Sequence, residues 1–312
     1  MTSSPPSRIN VSALAIVSVW TGVLVVFSFW MSRQAYRWLP VQASTAAPLV
    51  DGLFSFETAL ATFVFFGVVS VMGWVVLFNR AEKYDTSDAE PVEGNTKLEI
   101  IWTVIPALIV FGIAFYSVRV NQKLAVLGPM EHIHRGDPIE EVGGFLGDRL
   151  PAEQVEVTAR QWSWQFNYPD AKVSSTELHL PVDKPVTFRL VSEDVIHGFY
   201  VPAFRLKQDI IPGRAINLNL TPTREGRYRL RDSMYSGTWF STNQADVVVE
   251  SEEEYSDWLK QAATQPLQPG LSDAIIEYKQ RQSEGARGWP TVVPAPAPMV
   301  NVPGSNQLPH NG

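Results

Sequence analysis

The chain has 312 residues, room for roughly two domains. Its 25 basic residues against 32 acidic ones leave a net charge of −7, which excludes the basic face of a nucleic-acid binder. It contains no cysteine, so disulfides, thiolate metal sites and a lipid-modified cysteine are all excluded.

Three stretches, Val11–Met31, Thr58–Phe78 and Ile100–Val118, carry no charged residue. At about 1.5 Å per residue each can span a hydrocarbon core about 30 Å thick, and none has the polar face of a buried soluble helix. The first follows only Arg8, and small residues at Val41-Gln42-Ala43 and Ala43–Ala47 lie some way beyond it. With its loop (1–50) it reads as a cleaved signal or a signal anchor, and either puts the next loop outside the cytoplasm. The other two form a transmembrane hairpin (51–122) joined by the short polar segment 79–99. Arg80, Lys83 and Lys97 there, against Arg33 and Arg37 in 32–57, lean that segment toward the cytoplasm. Pro106 removes one backbone hydrogen bond and predicts a kink.

After a linker (123–152) the pattern changes to short β-runs. Val155 and Val157 lead into Trp162, Trp164 and Phe166, which alternate with Gln161, Ser163 and Gln165. Period two puts both tryptophans on one face of a strand. Glu177–Leu180, Val186–Val191, Ile216–Leu220, Gly226–Leu230 and Ala245–Val249 follow, punctuated by Pro, Gly and Asp. This predicts a sandwich or small barrel over 153–250. Ser251 and Glu254 predict a capping box opening a helix Glu252–Ala263, with Tyr255, Trp258 and Leu259 as its contacts. A second amphipathic run, Ser272–Gln282, completes a helical extension (251–285). The Pro-rich tail 286–312 reads as extended or disordered.

Three segments carry a resemblance: DVIHGFYVP (Asp194–Pro202), IIPGR (Ile210–Arg214) and YRLRDSMYSGTWFSTNQADVVV (Tyr228–Val249). In this order they resemble subunit II of the haem-copper respiratory oxidases. The copper-bearing branch holds its binuclear CuA centre on a loop Cys-x3-Cys-x3-His-x2-Met and one earlier His. Laid on that pattern, His197 keeps the earlier position. Asp232 and Ser236 stand at the Cys positions, Phe240 at the second His and Asn243 at the Met. Met234 replaces a Glu that contributes to a magnesium site in the family. Bridging coppers need soft thiolates, so the resemblance implies that no copper is held here. YSGTWFS (Tyr235–Ser241) is similar to the same stretch of bo-type ubiquinol oxidases, which also lack CuA.

The resemblance extends to the hairpin. GNTKLEIIWTVIPALIV (Gly94–Val110) is similar to the family's second conserved helix, with Glu99, Trp102 and Pro106 in register. It implies that Glu99 stands at the mouth of a proton pathway into subunit I; read alone, Glu99 is a helix-terminal carboxylate favoured by the macrodipole. In RQWSWQFNYP (Arg160–Pro169), Trp162 corresponds to the residue that receives electrons from cytochrome c. With no copper beneath, Trp162 and Trp164 read as core or interface residues. In PAFRLKQDIIPGR (Pro202–Arg214), Lys207, Asp209 and Arg214 imply charge-assisted contacts with subunit I, where the bare residues read as a surface turn. The remaining histidines stand in the linker (His132, His134), on a strand (His179) and in the tail (His310), and the linker pair reads as solvated.

The resemblance covers roughly residues 50–280. It implies a membrane-anchored α plus all-β fold: a transmembrane helical hairpin with an N-terminal signal or anchor helix, then a cupredoxin-like Greek-key β-barrel with C-terminal helices. The implied role is subunit II of a proton-pumping, quinol-oxidising terminal oxidase, not catalytic alone. Haem and copper belong to subunit I, and no metal or cofactor to this chain. Subunits I and III, quinol within the complex and the lipid bilayer are the expected partners. The expected location is a bacterial inner or thylakoid-type membrane, with the β-domain on the periplasmic or lumenal side. FRLKQDIIPGR and GNTKLEIIWTVIP read closer to the copper-bearing branch. Two rivals stand beside this reading: a docking-only subunit of a cytochrome c-driven oxidase, and a non-oxidase membrane-anchored binding or assembly module.

Overall fold

The computed structural model describes residues 11–78, 84, 94–124, 127–132, 153–285 and 291–304. Arg80, Lys83, His134, His310 and most of the expected linker lie outside the described residues. The chain divides into a helical unit and a β-rich unit, the latter including the loop 40–49.

The helical unit holds α1 (Val11–Trp38), α2 (Ala47–Phe78) and α3 (Thr96–Leu124). All three are long and apolar enough to cross a membrane. Each outruns its uncharged stretch, because a helix continues through residues that water or headgroups can solvate. Thus α2 starts at Ala47, and α3 runs on through Arg119 and Lys123. Pro106 lies inside α3, which continues on both sides of it. Asn95 opens α3 by accepting bonds from the N–H groups of Lys97 (3.1 Å) and Leu98 (3.3 Å), donors the helix cannot satisfy itself. Between α1 and α2, the Ser32 and Ser55 hydroxyls lie 2.7 Å apart and Ser55 Oγ donates to the Ser32 carbonyl at 2.9 Å. Phe56 of α2 meets Tyr116 of α3 edge to face at 5.2 Å. The outward faces stay apolar, with Val26, Phe65, Leu108 and Phe111 all exposed, a surface suited to hydrocarbon or to another membrane subunit.

The β-rich unit comprises β1 (Leu127–His132), β2 (Glu153–Arg160), β3 (Ser163–Tyr168), β4 (Val173–Ser175), β5 (Leu178–Pro181), β6 (Val186–Ser192), β7 (His197–Val201), β8 (Leu206–Ile210), β9 (Arg214–Leu220), β10 (Gly226–Asp232) and β11 (Gln244–Glu250). Helix α4 (Glu252–Ala263), strand β12 (Gln268–Pro269), helix α5 (Asp273–Ser283) and strand β13 (Met299–Val300) follow. The main strands form two sheets rather than one closed ladder, ordered β1-β9-β6-β2-β3-β4 and β5-β11-β10-β7-β8. The chain passes repeatedly between them, and β2–β6 and β5–β11 pair in parallel amid antiparallel neighbours. This is a cupredoxin-like sandwich. Alternate residues of β6 (Val186, Phe188, Leu190) point into its core and meet Phe166, Phe199, Ile210, Leu218 and Val247.

Three segments differ from the sequence reading. The loop after α1 is not free: Ala43 is buried in the β core, its N–H bonds the Ala203 carbonyl (3.0 Å) and its carbonyl accepts Thr223 N (3.0 Å). The linker contains β1, which pairs with β9. The tail is extended over 291–304 but packed, since β13 pairs with β12, Val300 is buried, and Ser174 N–H bonds the Asn301 side chain at 3.0 Å. None of these has a periodic signal, because each is a single edge pairing decided by the strand it joins.

Candidate functional site

The loop between β10 and β11 brings Asp232, Ser236 and Asn243 against His197, the first residue of β7. Gly198 permits this approach. A Cβ there would lie 2.9 Å from Met234 N and 3.0 Å from Ser233 N, so any side chain would push the loop off the strand. Asp232 N–H then bonds the Asn243 carbonyl (3.1 Å), closing the loop at its base.

The result is a hydrogen-bonded cluster in which His197, Asp232, Ser236 and Asn243 are buried and Asp194 reaches solvent. His197 Nδ1 lies 2.7 Å from Asp232 Oδ2, and its Nε2 lies 2.8 Å from Asp194 Oδ1. Asp232 Oδ2 also accepts from Ser236 Oγ (2.9 Å) and Asn243 Nδ2 (3.0 Å), while Oδ1 accepts from Gly198 N (2.8 Å) and Met234 N (3.2 Å). Trp164 Nε1 donates to the Asn243 carbonyl (3.1 Å), tying the cluster to the core. Burial opposes a charge on His197, but its bonds to Asp194 and Asp232 and their charges outweigh this and raise its pKa to about 9. Burial would likewise raise Asp232, yet His197, Gly198 N–H and Asn243 hold it below the usual carboxylate range. Asp194 is held low in the same way, first against burial, by His197 and by the N–H groups of Val195 and Gln161. At neutral pH a positive imidazolium sits between two carboxylates.

This donor set does not fit a binuclear copper centre. It offers no thiolate, and the 2.7 Å His197–Asp232 bond closes the space a metal would need. Among the described residues, no group of three or more His, Cys, Asp or Glu is arranged to hold a metal ion. Of the five aligned positions, four converge. Phe240 does not: it begins a short 3₁₀ turn (Phe240–Thr242) and faces Tyr235 at 5.2 Å. Asp194 was missed from sequence, although its spacing of three from His197 was open to view.

The two tryptophans separate, contrary to the period-two reading. Trp162 lies in the turn before β3, so the alternation that governs Trp164 does not reach it. Trp164 joins the main core, whereas Trp162 packs with Trp239 of the loop and Ala274 of α5. Trp162 is only 2% exposed. Gly237, at φ +116°, touches it: a Cβ there would lie 2.7 Å from the indole ring. Arg281 of α5 lies 4.5 Å over the Trp239 ring, and Ala295 N–H bonds the Gln161 carbonyl (2.6 Å), so the C-terminal extension straps over this face.

Of the remaining residues, Asp209 lies across from Gly198 on the neighbouring strand. Lys207 and Asp209 form a half-exposed pair on β8 at 3.8 Å, and Arg214 is exposed at the start of β9. Glu99 is exposed in the first turn of α3.

Residues 30–120 match the family described as cytochrome c oxidase subunit II, transmembrane domain, and residues 172–251 match its periplasmic domain. A cytochrome c oxidase subunit 2 of Synechocystis is 34% identical over 281 residues, 81% of this chain and 84% of that one. A quinol oxidase subunit 2 of Bacillus cereus is 29% identical over 224 residues, 71% and 70% of the two chains. The solved periplasmic domain of a Bradyrhizobium japonicum cytochrome oxidase subunit II is 26% identical, with TM-score 0.33, covering 35% of this chain and 91% of that one.

Proposed function

The chain belongs to the cytochrome c oxidase subunit II family, and from that premise we propose that it serves a quinol-oxidising haem-copper terminal oxidase without holding a redox metal itself. The observation that carries this is the cluster at the CuA position. A protonated His197 clamped between Asp194 and Asp232 occupies the place where two coppers would need thiolates. Without that relay, electrons taken up at the aqueous face of the domain have no nearby acceptor. A donor dissolved in the membrane avoids the domain altogether. The burial of Trp162 under α5 and the loop agrees, since a soluble carrier finds no exposed indole to dock on. The likeness to the Bacillus cereus quinol oxidase subunit supports the same donor.

In this reading α1, α2 and α3 anchor the subunit in a bacterial membrane, and the β-domain caps subunit I from the outside. Lys207, Asp209 and Arg214 supply interface charges, and Glu99 collects protons from the cytoplasmic water for the oxygen chemistry of subunit I. Haem and copper reside in subunit I, with subunit III as a further neighbour.

A second reading, with cytochrome c as donor, is favoured by the name of the Synechocystis relative, the more similar of the two curated relatives described. Oxygen uptake by the purified complex separates them. The proposal expects turnover with a quinol, little with reduced cytochrome c, and no copper assigned to this subunit by elemental analysis. Rapid cytochrome c oxidation without quinol turnover overturns it.

A further inference from the structure

Far from the cluster just described, a second buried histidine joins α4 to the sandwich. His179 on β5 has its Nδ1 3.0 Å from Glu250 Oε2 and its Nε2 3.6 Å from Glu177 Oε2. Its ring stacks flat on Trp258 of α4, with centroids 3.9 Å apart and planes 9° off parallel. Trp258 also meets Tyr168 edge on at 5.2 Å, and the Tyr168 hydroxyl accepts the His179 N–H at 2.7 Å. Tyr255 and Ala262 bury the rest of this helix face.

We propose that His179 and Trp258 form an acid-tightened latch that fastens α4, and with it the C-terminal extension, to the sandwich. Protonation of His179 turns the flat stack into a cation–π contact and completes two ion pairs. Loss of the proton leaves the ring in place but removes all three charge contributions. The surroundings allow both states. Glu177 keeps Arg227 as a partner at 3.4 Å, and Arg227 is also held by Asp246 at 2.8 Å. Asp246 binds Arg229 as well (2.7 Å), and the Glu250 side chain reaches solvent. From α4, Trp258 stacks on the imidazole and Tyr255 on Trp258, and Glu153 of β2 acts on both Tyr255 and Tyr168. Its Glu252 pairs outward with Lys184, and Asp257 pairs with Lys260 along the helix. Burial disfavours the charged imidazole, but the nearby Glu177 and the bond and charge of Glu250 prevail and shift its pKa upward. With the folded value above the ordinary 6.5, the latch is at full strength below pH 6.5 and slackens as pH rises through the folded value. Because α4 leads into α5 and the strap over Trp162, its hold bears on that cover.

Hydrogen exchange of the full chain in detergent tests this, with rates corrected for intrinsic chemistry between pH 5.5 and 9. The amides of Tyr255–Ala263 should lose several-fold more protection than those of β6 as pH rises. His179→Gln should abolish the excess loss in α4 over β6. Should that variant fail to fold, Glu250→Gln decides: removing one carboxylate should move the midpoint to lower pH. Protection in α4 that falls no more than that of β6, or a Glu250→Gln midpoint that stays put, overturns the latch.

Discussion

Asp232 carries the most consequence for a single side chain. It accepts five bonds, two from backbone N–H groups and three from His197, Ser236 and Asn243. Changing Asp232 to Ala leaves the buried imidazolium with Asp194 alone and its other donors without an acceptor, so thermal or urea unfolding should register a loss of about 3–5 kcal/mol. The pH response follows from the same residues. His197 is raised from 6.5 to about 9, so its stabilisation is complete below pH 6.5 and disappears as pH climbs through about 9. Asp194 and Asp232 are lowered, so theirs is present above the ordinary 3.8 and lost as pH falls through their depressed values. Unfolding midpoints of the parent should decline between pH 7 and 9.5, and His197→Gln should lose most of that decline. Three of these residues came from aligning one loop and His197 from an earlier segment, but the alignment carried no hint that they bond one another.

The loop between β10 and β11 rests on Trp162 through Gly237, whose φ of +116° and contact distance both exclude a side chain. Gly237→Ala should therefore destabilise the domain by about 1–3 kcal/mol and increase quenching of Trp162 fluorescence by acrylamide. Unchanged quenching would mean that α5 alone covers the indole. The capping box of α4 was legible, since Ser251 and Glu254 satisfy each other's backbone locally. The contacts of α5 were not. Ala274, fully buried, makes the contact with Trp162, whereas Ile276, the bulkier residue, is 54% exposed. Helical period identifies a face but not its depth, and only a small residue fits beneath two tryptophans.

For the whole complex, the route of electrons and the route of protons give separate expectations. With a membrane-borne donor, Trp162→Gln should leave quinol oxidation unchanged per assembled complex. A loss of several hundredfold at constant haem content would put electron transfer through the domain. Glu99 lies in the first turn of α3, just before the uncharged stretch that starts at Ile100. Both Glu99→Ala and Glu99→Gln should slow reduction of the oxygen-binding haem without harming assembly. Parental rates in both would leave Glu99 as a helix-terminal carboxylate serving the macrodipole.

The three apolar helices, the alternating strands and the lack of thiolates could all be read from the chain, because each is a property of composition or local period. Tertiary structure alone decided where unpatterned segments go: Ala43 into the β core, Val300 onto β12 and Trp162 under α5. It also decided how His197, Asp232, Ser236 and Asn243 meet. A missing ligand is visible in a sequence, but whether its replacement bonds to the survivor depends on distances set by Gly198 and the loop it admits. Here the carboxylate of Asp232 arrives 2.7 Å from the imidazole, and charge compensation between two buried groups makes them an ion pair.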